Sequence, residues 1–267
     1  MGIVAGGGQF PLLCAKKAAE KGLEPVVVAH KGETDPLIQE HAAKTKWIHL
    51  GQLGKLISFF KKHGVRQVLF AGTITKTRIF RDIRPDFRAI SLWRQMDGHL
   101  DDGILRGVAD ELSKDGLEVI PSTALMDNLV TPVGIMTRRK PSKDEMRDVQ
   151  FGVELAKQIG ALDIGQCIVV KDRTVLAVEA IEGTDATIRR GGELGGSKDV
   201  CVIKICKPNQ DLRFDLPSIG IQTVETMQET GASCLAVEAG RSLFFDREDA
   251  IRLADRYSIT IIGLNLA

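Results

Sequence analysis

The stretch Gly2–Ala29, GIVAGGGQFPLLCAKKAAEKGLEPVVVA, decides the fold. Gly2–Ala5 is an apolar run of strand length, and Gly6-Gly7-Gly8 breaks it where only a permissive backbone fits. Pro11 suits a first helical turn, and Leu12, Leu13, Ala15, Ala19 and Leu23 then share an apolar face. Pro25 opens a second apolar run, Val26–Ala29. Strand, glycine loop, helix and strand make a Rossmann-like opening and predict a parallel sheet flanked by helices, an α/β fold. The dinucleotide fingerprint is incomplete: Pro11 stands where the third glycine belongs, and no acid follows at ribose distance. A glycine loop ahead of a helix still favours an anion, so Gly6, Gly7 and Gly8 are candidate substrate-binding residues. A tight turn beneath the sheet explains the same glycines equally well.

The same grammar repeats. Trp47–Leu50 reads as a strand, Leu53–His63 as a helix closed by Gly64, and Gln67–Ala71 as a buried strand. That strand runs into Gly72-Thr73-Ile74-Thr75-Lys76, a loop at a strand's carboxyl end, where open α/β sheets bind ligands. Gly72 and Thr73 are candidates on that ground. Residues 78–98 interleave Arg78, Arg81, Arg84, Arg88 and Arg94 with Ile79, Phe80, Phe87 and Trp93, which suits an anionic lipid surface or a solvated helix face. Asp101 and Asp102 suit the cap of a helix to Lys114.

Residues 131–142, TPVGIMTRRKPS, carry two prolines, a glycine and a basic run, the composition of a boundary. The expected division is a Rossmann-like domain at 1–131, a linker at 132–142 and an α/β catalytic domain at 143–267. Ser142 and Glu145 form a capping box for a helix to about Ile159. Residues 167–170 and 175–178 read as a hairpin, and Gly183-Thr184-Asp185 starts a short helix. Gly191, Gly192, Gly195 and Gly196 read as a loose loop, and Asp246 as the cap of the last helix.

Composition narrows the function classes. With 43% hydrophobic and 27% charged residues, the chain matches soluble globular proteins. A net charge of +1, one Tyr and two Trp argue against bulk nucleic-acid binding and base-stacking platforms. Five cysteines without CxxC spacing suit a reducing, cytoplasmic setting, and no apolar run reaches the roughly 20 residues of a membrane span. The histidines form no metal motif, and no GxSxG occurs.

Chemistry concentrates in Leu176–Pro217. Glu179, Glu182, Asp185, Asp211 and Asp215 stand among Arg189, Arg190, Lys204, Lys207 and Arg213. Carboxylates beside cations at strand and loop ends suit metal-assisted phosphoryl chemistry. Helix capping at Asp185, or salt bridges to Arg189 and Arg190, would explain the same acids structurally.

EAIEGTDATIRR (residues 179–190), KPNQDLRFDLPSIG (207–220), LAVEAGRSLFFDRE (235–248) and the opening GIVAGGGQFP together resemble the LpxI family, the UDP-2,3-diacylglucosamine diphosphatases of lipid A biosynthesis in Gram-negative bacteria. The resemblance implies a Rossmann-like first half and a second half peculiar to the family. It implies Mg²⁺-dependent hydrolysis of a lipid-linked UDP-sugar to UMP and 2,3-diacylglucosamine 1-phosphate (lipid X). The family's essential aspartate maps to Asp215 in Arg213-Phe214-Asp215-Leu216-Pro217, with Asp211 acidic four residues earlier. The candidate catalytic set is therefore Asp215, Asp211 and Arg213. Asp215, Glu179, Glu182 and Asp185 are the candidate metal ligands, and Thr184, Arg189 and Lys207 the candidates for the substrate and its phosphates. Peripheral contact with the cytoplasmic face of the inner membrane and a homodimer are both compatible with this reading. A non-catalytic sensor of a nucleotide-linked lipid and a nucleotide-dependent oxidoreductase are the competing readings.

Overall fold

Parallel strands joined through helices account for the first half of the chain. The computed structural model describes residues 1–74, 83–95, 101–208, 210–214 and 216–266. Two compact units emerge, Met1–Asp127 with Asp211–Asp215, and Asn128–Gln210 with Leu216–Ala267. The expected linker residues thus fall in the second unit, and a short segment from the second half falls in the first.

The first unit runs β1 (Gly2–Ala5), α1 (Phe10–Glu20), β2 (Val26–His30), β3 (Lys44–Ile48), α2 (Leu53–Lys62), β4 (Gln67–Ala71), α3 (Phe87–Gln95), α4 (Asp101–Lys114) and β5 (Glu118–Val119). Its strands pair in parallel in the order β3-β2-β1-β4-β5. This doubly wound order reverses between β1 and β4, the place where such sheets leave a crevice. Leu53, Leu56, Ile57 and Phe60 of α2 and Ala109 and Leu112 of α4 bury against Val4, Val28, Val68 and Phe70. Each such side chain contributes roughly 1.5–3 kcal/mol. Phe214 joins this core at 7% exposure, edge-on to Phe70 with ring centroids 5.4 Å apart. The third strand begins before the expected Trp47, because Lys44 and Lys46 point outward on the edge of the sheet.

The second unit runs β6 (Gly134–Ile135), α5 (Lys143–Ala161), β7 (Cys167–Lys171), β8 (Thr174–Val178), α6 (Thr184–Leu194), β9 (Val200–Lys204), β10 (Ser218–Ile219), α7 (Ile221–Glu229), β11 (Ala232–Glu238), β12 (Leu243–Phe244), α8 (Arg247–Arg256) and β13 (Thr260–Leu264). Its six-stranded mixed sheet has the order β6-β13-β11-β9-β7-β8, and β10 pairs separately with β12. Strands β9, β11 and β13 are parallel, and β7 is antiparallel to both its neighbours. Alternation splits the sheet's apolar residues: Val169, Val202, Leu235 and Val237 face α6, α7 and α8, while Ile168, Val170, Ile203 and Ala236 face α5. Residues 132–142 are woven into this sheet, through β6 on β13 and through Ile261, whose N–H donates to Thr137 Oγ1.

The capping box forms as expected: Glu145 N–H donates to Ser142 Oγ (3.1 Å) and Ser142 N–H to Glu145 Oε2 (2.7 Å). Glu145 does more, because its Oε1 also accepts from Arg139 Nη2 (2.8 Å) and Ser233 Oγ (2.5 Å). Three turns of backbone thus meet on one carboxylate where β11 begins. One turn on, Asp148 accepts from the amides of Asp172 and Arg173 (3.0 and 2.7 Å), whose φ values of 49° and 55° close the β7–β8 hairpin without glycine.

Two sequence expectations change. Gly191 and Gly192 are not a loose loop but lie inside α6, buried. A Cβ at Gly191 would meet Val169 Cβ at 2.5 Å, and one at Gly192 would meet Thr230 Cβ at 2.5 Å. These glycines let the helix approach both the sheet and α7. Asp246 precedes α8 but makes no side-chain cap bond, since its backbone is left-handed (φ 47°) rather than extended.

Two outcomes test this packing. Gly191→Ala, which would stabilise an exposed helix, is expected to lower stability by about 1–3 kcal/mol in urea unfolding. Burial opposes ionisation of Glu145, but its bonds from Arg139, Ser233 and Ser142 outweigh that and hold its carboxyl below the ordinary range. Its contribution is therefore present above about pH 4.3 and lost as pH falls through the lowered folded value. Glu145→Gln is expected to cost about 1.5–3 kcal/mol at pH 7 and progressively less in denaturation series run to pH 3.

Candidate functional site

In the first unit the carboxyl ends of β1 and β4 bring two sets of nominated residues together. Gly7 N–H donates to Thr73 O (2.7 Å) and Thr73 N–H to Gly7 O (3.2 Å), so the two loops pair. Gly6 N–H donates to Ala71 O (2.8 Å). The amides of Gly6 and Gly7 are thus used within the protein rather than turned toward an anion. Gly72 is required there: its φ is +84°, and a Cβ would meet Gly7 O at 2.3 Å. Gly8, at φ +80°, has open space where a side chain would be.

His30 ends β2 beside this junction and was not nominated from sequence. Ala5 O accepts from His30 Nδ1 (2.9 Å) and from Thr34 Oγ1 (2.7 Å). Burial pushes the His30 pKa down, so the ring is neutral at pH 7, with Nδ1 protonated and Nε2 left as an acceptor. A histidine closing an apolar strand at its carboxyl end was the signal available in the sequence.

Asp211 and Arg213 are brought together in the first unit. Arg213 Nη2 donates to Asp211 Oδ2 (2.7 Å) and Arg213 Nε to Asp211 Oδ1 (3.0 Å), while Arg106 Nε lies 3.8 Å from Asp211 Oδ2. The Arg213 hydrogen bonds hold the Asp211 carboxyl below the usual range. Asp211 is thereby the clasp of the 211–214 turn, and Arg213 also stacks over Phe214 at 4.9 Å. Asp215, the next residue but one after Arg213, lies outside the described residues.

In the second unit the carboxyl ends of β8, β9 and β11 carry Glu179, Lys204 and Glu238, all buried. Glu238 is committed, accepting from Cys206 N–H (2.9 Å) and Arg241 Nη1 (3.3 Å). Lys204 Nζ donates to Ser218 O (2.7 Å). Glu179 is held more loosely: Thr184 Oγ1 donates to Oε1 (2.9 Å), and among the described residues only the Gln166 amide, at 3.4 Å, approaches Oε2. Gln166 Oε1 is buried without a hydrogen-bond partner among the described residues. Burial first, then Glu179 and Asp185, push the Cys167 thiol up against the opposing charge of Lys204. Lys204 pairs with Cys167 across the sheet, and the Glu179 amide donates to Cys167 O. Asp185 stands half-buried in the first turn of α6.

The remaining nominated residues are engaged elsewhere in the second unit. Glu182 pairs with Arg190 Nη2 (2.8 Å). Arg189 reaches Glu229 (3.4 Å), and Lys207 pairs with Asp163 (2.5 Å). No three His, Cys, Asp or Glu groups among the described residues stand close enough to hold a metal unaided. Mg²⁺ requires less, one or two carboxylates completed by waters and phosphate oxygens. Glu179, with an oxygen lightly engaged, is compatible with that requirement; Glu182, bound to Arg190, fits it poorly.

The chain matches the LpxI N-terminal domain over residues 1–129 and the LpxI C-terminal domain over residues 132–262. It is 32% identical over 275 aligned positions to the UDP-2,3-diacylglucosamine pyrophosphatase LpxI of Caulobacter vibrioides, covering 99% of this chain and 97% of that one. Among solved structures, a biotin carboxylase from Campylobacter jejuni aligns at 13% identity over 86% of this chain and 41% of its own, with a TM-score of 0.30. The biotin carboxylase domain of a single-chain bacterial carboxylase aligns at 14% identity over 68% of this chain and 37% of its own, with a TM-score of 0.27. Both likenesses are too slight to bear on fold or function. With both domain models matched in order along nearly its whole length, the chain belongs to the LpxI family.

Proposed function

We propose that the chain hydrolyses the pyrophosphate bond of UDP-2,3-diacylglucosamine to UMP and 2,3-diacylglucosamine 1-phosphate, in lipid A biosynthesis and with Mg²⁺. The observation that carries this reading is the end-to-end match to a pyrophosphatase of that name. The loosely held, buried Glu179 supports it, since a phosphate-bridging cation needs such a donor.

Hydrolysis adds one water across the P–O–P bridge: its oxygen joins one phosphorus, the bridging oxygen leaves on the other, one of the water's protons passes to a base, and the second stays on the new phosphate until that group ionises. When bound, Mg²⁺ would neutralise charge on the phosphoryl oxygens. Glu179 and Asp185 would hold it, and Thr184 keeps Oε1 of Glu179 turned toward its hydroxyl. Asp215 is assigned to the attacking water or to the cation from its DLP motif. Lys204 places a cation at the same strand edge as Glu179, where anionic substrate gains from it. Asp211 and Arg213 position the turn that leads to Asp215. A diacyl substrate resides in a bilayer, and no described helix is long and apolar enough to cross one, so the enzyme is proposed to work peripherally, at the cytoplasmic face of the inner membrane.

Incubation with UDP-2,3-diacylglucosamine is expected to yield UMP and the lipid phosphate with Mg²⁺ and neither with a chelator; absence of product with Mg²⁺ contradicts the reading. Asp215→Asn is expected to lower kcat at least about hundredfold. Thr184→Val acts through Glu179, so half-maximal activity should need about 10–100 times more Mg²⁺, with kcat restored at saturation. A kcat loss that Mg²⁺ does not restore would contradict that positioning role.

A further inference from the structure

Outside the strand edges, the first unit has a second feature. A cavity of about 560 Å³ lies along α2 and the start of α3, lined by Lys46, Lys55, Phe59, Lys62, Phe87 and Arg88 among others. Lys55, Phe59 and Lys62 fall at i, i+4 and i+7, one stripe of α2, and Lys46 reaches over the Phe59 ring at 5.8 Å from the edge strand. The described acids around it are already occupied. Asp86 accepts the amides of Gly54 (2.7 Å) and Ala89 (3.0 Å), and Glu111 and Asp115 pair with Arg88. Among the described residues, Lys46, Lys55 and Lys62 are left as the uncompensated charge.

Beside this basic floor, α3 buries none of its side chains. Phe87 is 94% exposed, and Ile90 and Trp93 follow at i+3 and i+6 with 37% and 44% exposure. An apolar ridge alongside lysines whose stems are themselves apolar is the pattern of a helix that lies in a bilayer interface.

We propose that this face docks the enzyme on an anionic lipid bilayer, with Phe87, Ile90 and Trp93 entering the headgroup boundary and Lys46, Lys55 and Lys62 meeting lipid phosphates. Charge complementarity selects this occupant: three cations without partner acids among the described residues, beside an apolar ridge, match phosphates above acyl chains. The proposal rests on the lipid substrate assigned above, but it concerns where the protein sits rather than what it cleaves.

Co-sedimentation with vesicles of phosphatidylcholine containing 30% phosphatidylglycerol tests it. Wild-type protein should partition onto these vesicles and leave pure phosphatidylcholine vesicles. Lys55→Ala/Lys62→Ala should weaken partition about thirtyfold, since each basic residue near the surface adds about fivefold. Phe87→Ser should weaken it at every salt concentration, whereas the lysine variant should lose most of its salt dependence, Lys46 carrying the rest. Both variants should keep wild-type turnover on substrate dispersed in detergent, which separates this inference from the assigned reaction. Equal partition of variants and wild type would overturn it. So would a wild-type dimer in solution that Phe87→Ser converts to monomer, because the face would then belong to a second copy.

Discussion

A carboxylate taken out of water is tolerated only where hydrogen bonds replace the water it has lost. The second unit keeps Glu145, Glu179 and Glu238 at 5–7% exposure, and their differing satisfaction organises the rest. Glu145, near the start of β11, is held by Arg139, Ser233 and Ser142 and braces the amino ends of the parallel strands. Glu238, at the carboxyl end of β11, is fixed by the Cys206 amide and Arg241. Glu179, at the same edge, has one firm bond and one long one. The fold spends Glu145, Glu238 and the hairpin-bracing Asp148 on its own rigidity and leaves Glu179 with capacity to spare. That asymmetry follows the general rule that parallel sheets brace themselves at one end and bind at the other.

The first unit obeys the same rule by different means. Its sheet reverses order between β1 and β4, and there the glycine loop pairs with the Gly72–Thr73 loop instead of standing open. A dinucleotide-binding loop needs those amides for a pyrophosphate. Here Gly6 and Gly7 donate to Ala71 and Thr73, which counts against the oxidoreductase reading and agrees with the missing third glycine. Neutral His30 and Thr34, both bonded to Ala5 O, supply polar groups at the same edge. The glycines build the junction, and His30 and Thr34 are anchored beside it.

Much of this was legible in the sequence because the signals were local. The alternating α/β grammar, the Ser142–Glu145 capping box and the 167–178 hairpin each depend on residues close along the chain, and the structure has them. What escaped depends on distant partners. Gly191 and Gly192 read as a loop because glycine disfavours helices, yet contact with Val169 and Thr230 decides otherwise. Phe214 sits among charges in LRFDLP and gives no sign that it completes the core of the first unit against Phe70. The acids of 179–215 stand out in the sequence as a charged segment, but sequence could not sort them. Glu182 and Asp211 are taken up by neighbouring arginines, and Glu179 differs from Glu238 only through the bonds each receives.

The central claim is that Glu179 is the buried acid of the second unit available to a phosphate-bound cation. Electron paramagnetic resonance titration with Mn²⁺ in the presence of UMP reads this without turnover, because free and bound Mn²⁺ give different signals. Wild-type protein should bind one Mn²⁺ per chain, and Glu179→Gln should lose that site while Glu182→Gln keeps it. Equal stoichiometry and affinity in wild type and Glu179→Gln would contradict the account.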